Sequence, residues 1–349
     1  MSALPNSHQA LLRVNHVLSG RLALFGVTAP ELLAKLPQGG LVMTDHVGYA
    51  NQLAGHTGWQ VWFGYDHPQL NAAQADTVVV FLPKARAELD LRLAVARKII
   101  APGARLLVLG EKKEGIAGAV KQLKAVAPDA IKLDSARHCQ IWSAEAVEPL
   151  DRFDLTAWMT WHSISRQGVT VEVCGLPGIF SRGELDEGTA ALLDTLNQAP
   201  VAGERVLDFA CGAGVIGAWL QGWQQKNGLP VSQVDGIDVQ SQAVISARAT
   251  YERAGAHGNI IASDGLEDVE GSWNAIVTNP PFHAGVKTDT SMTERFLQSV
   301  SRHLAPRGEL RLVANTFLPY KSLIERFIGP AERLHEDRKF TVYRAFRKR

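Results

Sequence analysis

The chain has 349 residues, of which 46% are hydrophobic and 20% charged, so it is long enough for two globular domains and is neither fibrous nor disordered. Its 36 Lys and Arg against 35 Asp and Glu give a net charge of +1, which excludes a general polyanion binder and requires any nucleic-acid partner to be bound by a local patch. Three cysteines without C-x-x-C spacing exclude a disulfide framework, and because neither a signal core nor an apolar run of about 18 residues occurs, we expect a cytoplasmic protein with no metal and no membrane partner.

The first half of the chain contains short apolar segments with the spacing of an α/β domain. Leu22–Val27 and Leu41–Thr44 predict its first strands. Ala75–Pro83 (ADTVVVFLP) is a β-branched run closed by proline, as in a buried strand of a parallel sheet. Further strands are predicted at Ile100–Val108 and Cys139–Ala144.

The second half repeats this order about 200 residues later. The three later segments of the first half match Trp273–Pro281 (WNAIVTNPP), Leu304–Leu312 and Phe340–Ala345. The repeat predicts an α/β fold made of two tandem Rossmann-like domains from an internal duplication, each a mostly parallel sheet flanked by helices. Chance is the alternative, because strand, helix, turn and strand recur in many unrelated doubly wound folds.

A glycine-rich loop follows the first strand of the second half. Arg205–Gly217 reads RVLDFACGAGVIG, a short strand ending in an acid and then a small-residue loop that opens into a helix. Glycine lets the backbone turn sharply and approach a ligand, and the helix N-terminus offers free N–H groups. Gly212, Gly214 and Gly217 form G-x-G-x-x-G with Asp238 about 20 residues further on, a pattern that supports a nicotinamide oxidoreductase equally well.

Four successive strand ends of this half carry the polar residues Asp208, Asp238, Asp264 and Asn279. Ligands bind at the carboxyl ends of the strands in open α/β sheets. Asp238 is placed to bind a ribose hydroxyl pair, and Asp264 could accept from an adenine amine. Asp208 would repel a diphosphate but attract a sulfonium or an ammonium group, which argues against a dinucleotide.

The segment Asn279–Phe282 (NPPF) supplies what methylation of a planar nitrogen requires. The carboxamide oxygen of Asn279 and the next backbone carbonyl, that of Pro280, can accept both hydrogens of an exocyclic amine and direct its lone pair toward a methyl donor. Proline has no N–H and a fixed φ, so the carbonyls stay oriented. Phe282 can stack on a base. We therefore predict Asn279, Pro280 and Phe282 as catalytic residues.

These motifs resemble those of class I S-adenosylmethionine-dependent methyltransferases. The whole chain resembles the two-domain bacterial small-subunit ribosomal RNA guanine-N2 methyltransferases of the C type, with further marks at Leu176–Arg182, Leu185, Asp186, Gly188, Asn279–His283 and Phe317–Tyr320. The resemblance implies S-adenosyl-L-methionine as cofactor, with the binding residues Asp208, Ala210, Gly212, Gly214, Asp238, Asp264 and Asn279. It also implies that a guanosine of 16S rRNA is methylated on N2 within an assembled small subunit, and we expect a monomer.

The resemblance assigns residues 166–349 to a catalytic domain and residues 1–160 to a degenerate methyltransferase-like domain without cofactor, which serves as a scaffold or positions RNA. In the first half, Phe81–Lys84 stands in the place of Asn279–Phe282 and cannot accept the hydrogens of an amine. Leu22–Val27 keeps one glycine and lacks the acid. Asp45 could correspond to Asp238.

Six residues are candidate substrate contacts: Phe180, Asp186, Thr189, His283, Arg344 and Arg347. For the first three, capping of the following helix is the alternative. His283 could be a solvated loop residue, and the two arginines belong to a basic C-terminal run that could be a solvated tail.

Three other functions stay open at this point. Adenine-N6 or protein glutamine-N5 methylation would use the same Asn-Pro-Pro corner. A non-catalytic RNA binder in ribosome assembly would need neither the corner nor the donor loop. The nicotinamide oxidoreductase remains as the third alternative.

Overall fold

The computed structural model describes residues 4–36, 39–145, 147–281 and 291–348. The chain divides into two compact units at the junction of Met159 and Thr160. Each unit is built on one seven-stranded sheet formed by the described residues. None of the described helices is long and apolar enough to cross a bilayer.

Unit 1, residues 1–159, alternates strands with helices as the apolar segments predict. Its strands are β1 (Leu22–Phe25), β2 (Gly40–Thr44), β3 (Trp59–Phe63), β4 (Ala75–Phe81), β5 (Ile100–Glu111), β6 (Ile131–Ala136) and β7 (Cys139–Ala144). Its helices are α1 (Asn6–Arg13), α2 (Val47–Leu53), α3 (Arg86–Ile99) and α4 (Ile116–Val126). The strand order is β3-β2-β1-β4-β5-β7-β6. The first five strands are parallel, and β7 is antiparallel to both of its neighbours.

Unit 2, residues 160–349, opens with an antiparallel hairpin of β8 (Thr160–Arg166) and β9 (Val169–Gly175). The strands of its main sheet are β10 (Arg205–Phe209), β11 (Gln233–Asp238), β12 (Ile260–Ala262), β13 (Trp273–Thr278), β14 (Leu304–Asn315), β15 (Ala331–Glu336) and β16 (Phe340–Phe346). The helices are α5 (Glu187–Gln198), α6 (Val215–Lys226), α7 (Ser241–Ala254), α8 (Ser291–His303) and α9 (Tyr320–Phe327).

The two sheets have the same strand order. Unit 2 follows β12-β11-β10-β13-β14-β16-β15, which is the order of unit 1 strand for strand, with the same antiparallel pair at the end. The predicted α/β fold from an internal duplication is therefore confirmed. The order reverses at β10 and at its counterpart β1, and in open α/β sheets the binding crevice lies at the carboxyl ends of the strands on either side of such a reversal.

Apolar residues cover both faces of the unit 2 sheet. One core joins the hairpin to α5, α6 and α7 and contains the fully buried Trp219, whose indole N–H donates to the Arg166 carbonyl at 3.0 Å. The other core packs α8 and α9 under the opposite face around Leu297 and Ile324. Because both faces are covered, the ligand-accessible part of the sheet is the row of strand ends.

Candidate active site

The loop after β10 has a left-handed backbone at three positions: Ala210 (φ 58°), Gly212 (φ 52°) and Gly214 (φ 79°). The Cys211 amide donates to the carbonyl of Ile237 at 2.9 Å. Helix α6 then begins at Val215. The loop thus turns directly from the strand end into a helix N-terminus, as the glycine spacing predicts.

The three glycines of the loop and helix serve different purposes. A Cβ built on Gly217 would lie 1.8 Å from the hydroxyl of Tyr251, and one on Gly214 would lie 3.1 Å from the Cβ of Ala247, so both positions are packed against α7. None of the described residues has an atom within 4 Å of a Cβ built on Gly212. Gly212 is therefore the glycine whose outer face stays open to a ligand.

Asp238, the last residue of β11, holds this loop in place. Its Oδ2 accepts from the Gly212 amide at 2.9 Å, and its Oδ1 accepts from the Gln240 amide at 3.0 Å just before α7. A carboxylate offers about four acceptor positions. Holding the loop is therefore compatible with accepting from a ribose hydroxyl pair.

Asp208 is a buried carboxylate near the end of β10, with 0% exposure. Among the described residues, no hydrogen-bond partner reaches either of its oxygens. Burial, followed by the negative charge of Asp238, raises the pKa of Asp208 well above its ordinary 3.8. A buried charge without a partner is costly, so the site fits a ligand that brings positive charge or donors to this end of the sheet.

Asp264 lies at the same edge. The strand pairing puts Asp238 opposite Ala262, and Asp264 follows two residues later on the exposed side of the loop. The amide of Ser263 donates to the Asp238 carbonyl at 2.9 Å. Asp264 is exposed, and its assignment to an adenine amine stays a prediction.

Asn279 and Pro280 follow β13, the neighbour of β10 on its other side. The hydroxyl of Thr278 donates to the Phe209 carbonyl at 2.8 Å, which joins the two strand ends. Asn279 is half-buried and Pro280 is buried. The corner therefore lies beside the start of the glycine loop.

The side chain of Asn279 is held by residues at the start of α5. Its Nδ2 donates to Asp186 Oδ2 at 3.2 Å and to Thr189 Oγ1 at 3.1 Å. Asp186 is also the N-cap of α5 and accepts from the amides of Gly188 at 2.9 Å and Thr189 at 3.2 Å. The capping alternative therefore applies to Asp186, and the same carboxylate reaches Asn279. No pattern in the sequence signals this contact, because the two residues are 93 positions apart.

The structure does not bring every candidate to the cleft. Phe180 is 62% exposed in a short 3-10 helix after β9. Arg344 of β16 pairs at 2.6 Å with Glu332 of the edge strand β15. The amide of Arg347 donates to the Gly308 carbonyl, and its guanidinium to the Leu304 carbonyl, at the amino end of β14, which is the edge of the sheet opposite Asn279. The predicted residues Phe282 and His283 lie outside the described residues.

The described residues contain no group of three or more His, Cys, Asp or Glu side chains arranged to hold a metal ion. The charged groups at the strand ends are carboxylates, and the groups that can accept from an amine are an amide oxygen and a proline carbonyl. Such a site can attract an organic cation and can accept hydrogen bonds from an amine.

Comparisons with known proteins identify the family of the chain. The family model for the methyltransferase small domain matches residues 170–344, and the model for its N-terminal domain matches residues 8–162. A protein of Hahella chejuensis named ribosomal RNA small subunit methyltransferase C is 41% identical over 99% of this chain and 100% of its own length. A protein of the same name from Pseudomonas aeruginosa is 41% identical over 97% of this chain and 98% of its own length. The solved structure of the T. thermophilus 16S rRNA N2 G1207 methyltransferase with AdoMet and guanosine aligns at a TM-score of 0.82 and 23% identity, over 99% of this chain and 92% of that one.

Proposed function

The chain belongs to the ribosomal RNA small subunit methyltransferase C family, and on that premise we propose that it transfers a methyl group from S-adenosyl-L-methionine to the exocyclic N2 amine of a guanosine in 16S rRNA. The observation that carries the proposal is the position of Asn279, whose amide lies at a strand end beside a glycine loop with an open outer face. Donor and amine would meet between these two elements.

The donor would be held by the strand ends of unit 2. None of the described residues covers Gly212 or bonds to the Asp208 carboxyl group, which supports a bulky cationic ligand at this position. Asp238 would bind the ribose hydroxyls and Asp264 the adenine amine, while Ala210 and Gly214 shape the loop. When bound, S-adenosyl-L-methionine supplies an electrophilic methyl group on a positively charged sulfur.

The protein's own contribution is to orient the amine. The Asn279 Oδ1 and the Pro280 carbonyl would accept its two hydrogens, which draws the nitrogen lone pair out of conjugation with the ring and stabilises the charge that develops on nitrogen. The rest of catalysis is alignment. Phe282 would stack on the base to keep it extruded, at about 1–3 kcal/mol per stacked base.

Unit 1 would bind no donor and would serve as a scaffold or RNA-positioning domain. The substrate would be the 16S rRNA within an assembled small subunit, modified in the cytoplasm by a monomer. Phe180, whose side chain is 62% exposed, would be available to contact RNA outside the cleft.

The test is product analysis with purified protein and labelled donor. Assembled small subunits and free 16S rRNA are each incubated with wild type, with Asn279→Ala and with the control Asn227→Ala, whose side chain donates to the Trp223 carbonyl of α6. We expect N2-methylguanosine from wild type and from the control, at least 100-fold less from Asn279→Ala, and more product from subunits than from free RNA. N6-methyladenosine as the product, or full activity of Asn279→Ala, would contradict the proposal.

A further inference from the structure

Two side chains at the start of α5 accept hydrogen bonds from the NH₂ group of Asn279. Asp186 and Thr189 each accept from Asn279 Nδ2, at 3.2 and 3.1 Å. Thr189 is buried, with 8% exposure. An ionised carboxylate can only accept hydrogen bonds, so the atom of Asn279 that faces Asp186 must be the NH₂ group. The oxygen of the planar amide then points away from α5.

This orientation decides what the amide can do. When α5 holds the NH₂ group, the oxygen of the Asn279 amide is free to accept a hydrogen bond from the substrate amine. If the amide were flipped, its NH₂ group would face the N–H groups of the amine, and no hydrogen bond could form. We propose that Asp186 and Thr189 are positioning residues that select the acceptor orientation of Asn279, an inference that rests on the proposed function of this corner. They act through Asn279 and need not touch the substrate.

Asp186 contacts both Asn279 and the backbone at the start of α5. One of its oxygens accepts from the Gly188 amide, and the other accepts from both the Thr189 amide and Asn279. Because the N-cap fixes the carboxylate at the first turn of α5, the amide of Asn279 is anchored to a helix and not only to its own loop. Preorganisation of this kind lowers the cost of reaching the reactive geometry.

The discriminating variants keep the fold and change the acceptor. Asp186→Asn retains a good N-cap but can place an NH₂ group opposite the NH₂ of Asn279. Thr189→Val removes the hydroxyl acceptor at nearly constant shape, and Thr189→Ser restores it. Asp154→Asn makes the same chemical change at an N-cap in unit 1, where Asp154 accepts from the Thr156 amide, and is the matched control.

We expect Asp186→Asn and Thr189→Val to lower kcat by at least about tenfold, Thr189→Ser to recover most of it, and Asp154→Asn to match wild type. Affinity for S-adenosylhomocysteine, measured by titration, should stay within about twofold and the melting temperature within about 2 °C. If Asn279→Ala is inactive while both variants keep full kcat, the positioning proposal is wrong and the proposed function stands. A matching loss of S-adenosylhomocysteine affinity would show that the two residues serve the donor site instead.

A different observation concerns the corresponding crevice of unit 1. Phe25 ends β1 and pairs with Met43 and Val80, just as Phe209 ends β10 and pairs with Ile237 and Thr278. The counterparts of Ala210, Asp238 and Asn279 are therefore Gly26, Thr44 and Phe81. By this register Asp45 comes one residue after the position of Asp238, not at it.

Arg92 of α3 fills the space between these strand ends. Its Nη1 donates to the Phe81 carbonyl at 2.8 Å, and its Nη2 donates to Asp45 at 3.2 Å and to Glu88 at 2.9 Å. The side chain is only 7% exposed. A Cβ on Gly26 would fall 2.1 Å from the same guanidinium.

We infer that the crevice of unit 1 is a guanidinium site occupied by the chain's own Arg92, which takes the place that the donor would need. The planar cation satisfies the Phe81 carbonyl and the two carboxylates together, and Gly26 leaves room for it. This occupant, and not only the missing motif, closes unit 1 to a cofactor.

Chemical rescue tests the inference. Arg92→Ala should lower the melting temperature of unit 1 by several degrees, and guanidinium at a few millimolar should raise it again, with no such rise in wild type or in Arg86→Ala, whose side chain is exposed on the same helix. Arg92→Met, which fills the space without charge, should show no rescue. If low guanidinium fails to stabilise Arg92→Ala, or stabilises the control equally, the inference fails.

Discussion

Tyr251 occupies the space that a side chain at position 217 would need, because a Cβ on Gly217 would lie 1.8 Å from its hydroxyl oxygen. The hydroxyl donates to the Val234 carbonyl at 3.0 Å. The third glycine of the G-x-G-x-x-G pattern therefore serves the packing of α6 on α7 and β11, and not the ligand.

Gly217→Ala should destabilise unit 2 by about 1–3 kcal/mol through overpacking, although alanine is the better helix former. Tyr251→Phe removes the clashing oxygen and should cost about 1 kcal/mol alone, for the lost hydrogen bond. In urea unfolding, the double variant should be more stable than the sum of the single changes predicts. Simple additivity would show that the two residues do not compete for the same space.

Gly212→Ala and Gly214→Ala should separate ligand binding from folding. Gly212→Ala adds a methyl group to open space at φ 52°, so we expect about 1–2 kcal/mol of backbone strain and loss of most of the affinity for S-adenosylhomocysteine. Gly214→Ala adds the same backbone strain and a contact with Ala247, so it should lower stability more and affinity less. Thermal unfolding and ligand titration on both variants measure the contrast, and equal effects would contradict the assignment of Gly212 to the ligand.

Asp208→Asn should stabilise the free protein and weaken donor binding. The pKa of Asp208 is raised in the native protein, so this carboxyl group loses its proton near pH 4 in the unfolded chain but keeps it in the native protein. The native state is therefore favoured less as the pH rises above 4, and the free energy of unfolding decreases. Asn stays neutral, so the variant should be more stable than wild type at pH 8 by about 1–3 kcal/mol. Urea unfolding at pH 5 and pH 8 measures this difference. Parallel pH dependence of the two proteins would rule out an ionising Asp208.

His8 should make unit 1 sensitive to acid. Burial lowers its pKa from 6.5 to about 4, while its Nε2 accepts from the Thr28 amide at 3.1 Å and its ring stacks on Phe81. The unfolded chain takes up a proton below pH 6.5 and the native unit does not, so stability present above pH 6.5 is lost as the pH falls toward 4, by about 3 kcal/mol. Hydrogen exchange of β1 and β2 peptides measures the loss.

His8→Gln should remove most of this pH dependence, because glutamine keeps an acceptor and does not titrate. His16→Gln is the control and should leave it intact. If exchange in β1 and β2 depends on pH equally in all three proteins, another group is responsible.

Several features of the fold can be predicted from patterns among residues that are close in sequence. Apolar β-branched runs, their repetition about 200 residues apart and the glycine spacing after Phe209 predict the strands, the duplication and the donor loop, because each depends on residues close in sequence. The row of polar strand ends follows as well, since parallel strands end at one edge. The family resemblance rests on these same segments.

Contacts between distant segments could not be predicted in this way. The sequence presents Gly212, Gly214 and Gly217 as equivalent, and only the packing of α7 shows which one faces open space. Arg347 belongs to a basic run in the sequence, but the antiparallel direction of β16 carries it to the edge opposite Asn279.

The sequence by itself predicted the two-unit α/β fold and the class of chemistry, and it indicated the strand ends at which we expect the ligands to bind. Only the tertiary structure shows that two side chains at the start of α5 accept from Asn279 Nδ2, and that Arg92 donates to the Phe81 carbonyl in unit 1. The physical reason is that side-chain orientation and cavity filling depend on which atoms compete for the same space, and those atoms come from residues far apart along the chain.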